Sequence, residues 1–395
     1  MFVSFGTGFH QLPLLNALKN LGIPIIGIDQ NPESVGKNLC DVFFSCSLLD
    51  TTRIIEFLKP YKKELKGIYS RSYGKVLEVA NEVANYFDLP ANPKESFERF
   101  RSKKEILEIA LSHSFLKSQK EWIQNLDKAE KWVVKPISSF GKRDIQLITN
   151  KEYLKTQTSN LIEPYYKGKE YIFFGLIIHK QLYPLIITQK EIIDLETITN
   201  HKELAELLFC DKKHFFPSDL TEIQKYKIFQ ISNFIVKKTN LIIGPFLAEF
   251  IVDGENVFFL EAVPEVGGEF IADYLIPEIL QLPYFELLVQ IYRNQNLKEI
   301  KELLNFKLEQ KKEKSFLINY ILQKNGVFIN LEFPESLWKS KYYYFHHLLK
   351  EKGSYTDYKR KNLDRLSVFG LAGNSLKNLI DLSNAVEKET KILYQ

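Results

Sequence analysis

Cysteine is scarce in this chain: Cys40, Cys46 and Cys210 are the three among 395 residues, odd in number and without a C-x-x-C pair. That excludes a disulfide framework and a cysteine-based zinc site, and it fits a reducing compartment. Long apolar runs are missing too, and none approaches the roughly 18 residues that would suggest a membrane span. Met1 leads directly into an apolar strand and a glycine turn. Without a charged start or a cleavage site, no secretory signal is expected and the cytoplasm is the expected location. No excess of one charge stands out: 53 Lys and Arg face 49 Asp and Glu, with the two signs interspersed. A nucleic-acid partner is therefore not expected. The seven histidines are scattered and support no Ser/His/Asp arrangement. Neither an internal repeat nor a low-complexity tract is visible.

What is present reads as a globular chain of two or three domains, 45% hydrophobic and 26% charged, with 30 Phe and 20 Tyr to fill its cores. Residues 1–95 alternate strand and helix, the rhythm of a doubly wound parallel sheet. Strands are expected at Met1–Phe5, Pro24–Asp29 and Gly67–Ser70, with a helix at Leu12–Leu21 closed by Gly22. A further helix carrying Val76, Leu77, Ala80, Val83 and Ala84 should stop near Leu89-Pro90.

A second region, 96–308, opens on the capping-box sequence Ser102-Lys103-Lys104-Glu105. Its expected elements are a β-rich stretch at Trp132–Ile148, another at Leu161–Ile178, a helix at Glu222–Lys238, a hairpin at Gly244–Val263 and a helical tail at Tyr284–Leu304. The charged run Gln310–Lys314 reads as a linker to a third region, 315–395. There strands are expected at Phe316–Leu322, Gly326–Leu331 and Arg365–Leu371, followed by a helix from Ser375.

Four segments could carry chemistry. Gly6-Thr7-Gly8, with Asp29 ending the next strand, is most of a dinucleotide fingerprint, but Gln11 stands where the third glycine belongs. A tight turn that lets helix pack on sheet is the favoured reading of this segment. In Trp132–Arg143 an apolar strand delivers Lys135, and a small-residue loop follows with Ser138, Ser139, Gly141, Lys142 and Arg143. Such a loop suits phosphate oxygens, although it lacks the spacing of a Walker loop. Glu163 and Glu170 flank a Gly168 turn, and Glu249 and Glu261 flank an Asp253-Gly254 turn within apolar strands. Carboxylates in such strands are costly unless a cation or donors meet them.

In this order, Lys103, V-V-K-P with its small-residue loop, E-P-Y-Y-K-G-K-E and G-P-F-L-A-E-F…F-F-L-E-A-V-P-E-V-G-G, the chain resembles the ATP-grasp superfamily. The resemblance covers nearly the whole chain. It implies a Rossmann-like domain over 1–95, an ATP-grasp domain over 96–308 and a small C-terminal α+β domain over 315–395. It also implies a ligase that activates a carboxylate as an acyl phosphate for attack by an amine, with ATP and Mg²⁺ as cofactors and a possible homodimer. By that resemblance Lys103 and Lys135 contact phosphates, and Ser138, Ser139 and Gly141 form a lid. Glu163 and Tyr165 lie at the adenine hinge, Glu170 meets the ribose, and Glu249 and Glu261 hold the metal.

Arg71 and Ser72, following the Gly67–Ser70 strand, are candidates for a substrate carboxylate. Tyr342–His347 reads either as a stacking platform or as packing.

Where the family often carries E-x-N-P-R, this chain has Glu261-Ala262-Val263-Pro264-Glu265. Glu265 is then either a replacement metal ligand, or Lys142, Arg143 or Lys190 covers the phosphate, or turnover is lost. Purine-type or bicarbonate-activating chemistry and simple nucleotide binding are the competing readings. A directly opposed Glu249–Glu261 pair is expected through a three-residue loop at Gly254–Asn256, because a two-residue loop would place Leu260 opposite Glu249.

Overall fold

In the computed structural model the described residues are 1–137, 142, 144–156, 160–310 and 312–395, without the side chains of 154–156 and 203. Residues 1–95 build a parallel sheet from β1 (Phe2–Phe5), β2 (Ile25–Asp29), β3 (Val42–Ser45) and β4 (Gly67–Tyr69), in the order β3-β2-β1-β4. Helices at Leu12–Asn20, Thr51–Leu58 and Lys75–Tyr86 follow the strands as the alternation predicts. The Gly6–Gly8 turn is held from within. Asp29 accepts from the Thr7 amide at 2.7 Å and the Thr7 hydroxyl at 3.2 Å, while Gln11 lies against Gly6 and donates to the Arg71 carbonyl at 2.9 Å. An Asp29 spent on Thr7 is not free to read a ribose, so the turn serves packing.

A small antiparallel sheet follows: β5 (Trp132–Pro136), β6 (Gln146–Ile148) and β7 (Asn160–Pro164), with β5 central. Next come β8 (Lys169–Ile178), β9 (Gln181–Ile192), β10 (Asp211–Phe216), β11 (Ile243–Asp253) and β12 (Asn256–Val263). The last strands are β13 (Ser315–Ile321), β14 (Gly326–Glu332), β15 (Tyr343–Leu348), β16 (Tyr355–Thr356), β17 (Ser367–Gly373) and β18 (Lys391–Tyr394). One eight-stranded sheet runs β12-β11-β8-β9-β10-β13-β17-β15, so the region after the linker extends the central sheet rather than standing apart from it. Within that sheet, β9, β10 and β15 are additions to the sequence reading. In β15, the Phe345 ring stacks on Tyr274 with centroids 3.9 Å apart, which is packing rather than a free platform.

The helix Glu222–Lys238 starts where expected because Thr221 and Gln224 cap each other reciprocally. The tail instead forms two helices, Tyr284–Tyr292 and Leu297–Glu309, because Asn294 and Asn296 take left-handed backbone angles (φ 52° and 53°) between them.

The β11–β12 hairpin corrects one expectation and keeps its consequence. Asp253 pairs with Asn256, so the loop has two residues, yet Glu249 still pairs with Glu261. The register shifts between Glu249 and Phe250, where a bulge leaves Leu260 extra. Gln119, buried in the helix Lys117–Gln124, fixes β12 beside that bulge: it donates to the Phe259 carbonyl at 2.7 Å and accepts from the Phe259 amide at 2.9 Å. Gln119→Leu should therefore strand two buried backbone groups and cost about 1–3 kcal/mol or more. Urea unfolding would check this, and a loss under about 0.5 kcal/mol, the size of a neutral surface change, would contradict the pinning role.

Candidate active site

The site lies where the three-stranded sheet meets one face of the large sheet. Side chains two apart on a strand share a face, and so do residues opposite each other across strands. Glu249 on β11 faces Ile172 on β8, two residues from Glu170; Glu170 faces Lys190 on β9; and Lys190 faces His214 on β10. Together with Glu261 these residues form a row of charged and polar side chains across an otherwise apolar sheet.

Lysines neutralise the row from three sides. Lys190, 3% exposed, has its Nζ 3.0 Å from Glu249, 3.1 Å from Asp211 and 3.5 Å from Glu170. Burial alone would lower the Lys190 pKa, but Asp211 and Glu249 outweigh it and hold the ammonium charged. Lys142 reaches Glu249 at 3.1 Å and Glu170 at 3.4 Å. Burial opposes its charge as well, and Glu170 and Glu249 override that.

Lys103, at the start of the helix Lys103–Leu111 that Ser102 caps, pairs with Glu261 at 2.7 Å. Burial pushes the Glu261 carboxyl up, but Lys103 and then Lys142 outweigh it, and it is held at about 2. On the small sheet Lys135 pairs with Glu163 at 2.8 Å, and it also contributes to holding Glu261 ionised. Lys103 and Lys135, from separate segments, thus converge around one carboxylate. Tyr165 packs beside Val133, Leu208 and Phe209. Ser138, Ser139, Gly141 and Arg143 lie outside the described residues.

Glu265 differs from the others. Burial, and then Glu269, push its carboxyl up to about 8, against a hydrogen bond from the Gly74 amide. It therefore sits against the loop that follows β4, with Glu261 as a more distant influence. Arg71 is committed elsewhere: its guanidinium is buried, ion-paired to Asp273, donates to the His10 carbonyl and lies 4.8 Å from the centroid of the Phe285 ring. The Ser72 hydroxyl is 3.5 Å from the Gln11 amide nitrogen. Sequence reasoning misses Asp211 and His214. Their strand, D-K-K-H-F-F, mixes charge with aromatics and carries no clear alternation.

The opposed Glu249 and Glu261 offer hard oxygen donors, and no group of three His, Cys, Asp or Glu suited to a metal occurs among the described residues. That donor set fits Mg²⁺ brought in with phosphates, since such a site uses one or two carboxylates and fills the rest from phosphate and water.

No protein-family model matches the sequence, and no curated protein matches it. Solved structures do match in fold. An L-amino acid ligase from Bacillus licheniformis is 16% identical with a TM-score of 0.79, covering 100% of this chain and 98% of that one. A phosphoribosylglycinamide synthetase from Anaerococcus prevotii is 15% identical with a TM-score of 0.74, covering 100% and 99%. The biotin carboxylase domain of a Hydrogenobacter thermophilus 2-oxoglutarate carboxylase, a dimer in complex with MgADP, ADP and bicarbonate, is 14% identical with a TM-score of 0.69, covering 100% and 90%. These neighbours are ATP-grasp enzymes, and the chain has the ATP-grasp fold.

Proposed function

We propose that this chain is an ADP-forming ligase that uses Mg-ATP to activate a carboxylate for attack by an amine. The observation that carries the reading is the set of four lysines, Lys103, Lys135, Lys142 and Lys190, interleaved with Glu163, Glu170, Glu249 and Glu261 at the meeting of two sheets. A triphosphate with its metal complements both halves: lysines exchange carboxylate for phosphate oxygens, and the released carboxylates face the cation. Lys103 and Lys135 would bind phosphates, Glu249 and Glu261 would hold Mg²⁺, and Glu170 would meet the ribose. Glu163 and Tyr165 would border the adenine. Magnesium supplies neutralisation and alignment of phosphate oxygens when bound.

In the reaction a substrate carboxylate oxygen attacks the γ-phosphorus as the bond to ADP breaks. The amine nitrogen then attacks the carbonyl carbon, phosphate leaves, and the nitrogen loses a proton. Lys142 and Lys190 stand where negative charge must be screened. The neighbours named as an amino acid ligase and a synthetase support this class. The substrates we assign are a small carboxylic acid and an amine, with neither nucleic acid nor membrane as partner. No helix among the described residues is long and apolar enough to cross a membrane. The location we assign is the cytoplasm.

Two measurements test this reading, and a third tests the setting of Glu265. Lys135→Ala removes a charge-assisted phosphate partner, about 1.5–3 kcal/mol, and should weaken ATP binding roughly 10- to 150-fold by calorimetry. Unchanged affinity in a folded variant would remove Lys135 from the site. Glu261→Gln should raise the Mg²⁺ concentration needed for tight ATP binding by about 10-fold or more, a typical loss when a metal-site partner is mutated; an unshifted magnesium titration would argue against the metal role.

The third concerns Glu265 in the nucleotide-free protein. Its carboxyl is raised from an ordinary 4.5 to about 8, so the folded state binds the proton more tightly than the unfolded state. That stabilisation is complete below about 4.5 and is lost as pH rises through about 8. Relative to Glu265→Gln, the wild type should lose stability between about pH 5 and 9 in urea unfolding. A difference independent of pH would contradict the assignment.

A further inference from the structure

Past β12 the chain carries Glu265 rather than a cation, and a buried positive charge reaches the sheet from another region. Arg365 precedes β17 and is 8% exposed. Its guanidinium lies 3.6 Å from the centroid of the Tyr320 ring, and its Nε donates to the Asn362 carbonyl at 3.1 Å. Its Nη1 is buried and finds no hydrogen-bond partner among the described residues, and no carboxylate among them forms an ion pair with Arg365.

The groups around it supply no bonded anion. Tyr320 and His214 are fully buried, and the Tyr320 hydroxyl and both His214 nitrogens lack hydrogen-bond partners among the described residues. Burial pushes His214 down to about 3, so its ring is neutral. Burial opposes the charge of Arg365, and Tyr320, then Asp211 and more distantly Glu269, outweigh it and hold the guanidinium charged without bonding it. Asp211 is held by Lys190 at 3.1 Å and by the Asn362 side chain, and burial pushes the Glu269 carboxyl up. A buried guanidinium without a bonded anion is costly and suits a site that receives one.

Its place relative to the lysine row follows from register. Lys190 faces His214, the His214 ring meets Tyr320 edge-on at 6.1 Å, and the Tyr320 ring carries Arg365. Two strand spacings, roughly 10 Å, separate the strand of Lys190 from that of Tyr320 across the sheet. Asn362 links the two sides: its side chain bonds Asp211, and its carbonyl holds Arg365.

We propose that Arg365 binds the oxyanion of the group being activated, the substrate carboxylate and the phosphate it receives, in place of the arginine missing after β12. The identity of that anion rests on the ligase reading; the anion site itself does not. The test uses inorganic phosphate, titrated by calorimetry into the protein with and without MgADP. Arg365→Met keeps the apolar stem on Tyr320, and Arg365→Lys keeps the charge without the fork. Circular dichroism and thermal unfolding establish that each variant folds.

Phosphate binding should weaken about 10- to 100-fold in Arg365→Met, with an intermediate loss in Arg365→Lys and little change in MgADP affinity. Equal phosphate affinity in wild type and Arg365→Met overturns the proposal, as does a wild type that binds no phosphate in either condition. Failure of MgADP to bind the wild type would instead count against the ligase reading, while phosphate binding lost on substitution would still support the anion site.

Discussion

Charges on the inner face of a sheet must be met by opposite charges or strong donors, because desolvation there is expensive and water is a poor substitute. In this chain that requirement governs the large sheet. Glu249, Glu170 and Glu261 would repel one another along neighbouring strands, and Lys190, Lys142 and Lys103 hold them together. The balance has a direction: burial raises a carboxylate and lowers an ammonium, yet Glu261 is held low and Lys190 high. Pairing therefore outweighs desolvation at both.

The same arrangement links packing to function. The Leu260 bulge turns Glu261 onto the face of Glu249, and Gln119 holds the strand beside it. A regular hairpin of this loop length would have separated the two carboxylates to opposite faces. The proposed binding would exchange these ion pairs for contacts to phosphate oxygens and a metal.

The region after residue 315 contributes to this surface instead of merely following it. Strands β13 and β17 continue the large sheet, and they carry Tyr320 and support Arg365 on the side beyond His214. The N-terminal sheet joins through Arg71 and Asp273, a buried pair that ties its β4 loop to the segment after β12. The sequence suggests Arg71 for a substrate carboxylate; its engagement with Asp273 gives it an architectural task.

Local periodicity and capping are properties of neighbouring residues, and these the sequence determined by itself: the alternation of residues 1–95, the helix Glu222–Lys238 with its Thr221 cap, and the strands bearing Glu249 and Glu261. The order of the lysine and glutamate motifs also carried the ATP-grasp resemblance. Other features depend on residues far apart in the chain and arise only on folding. Asp29 is spent on Thr7, Lys190 gathers three carboxylates, and Gln119 supports a bulge that a count of loop residues could not reveal. Arg365 acquires its setting from Asn362 and Tyr320 in the same way. Ion pairing and register are decided by distances across the sheet, and such distances exist only once the strands have assembled.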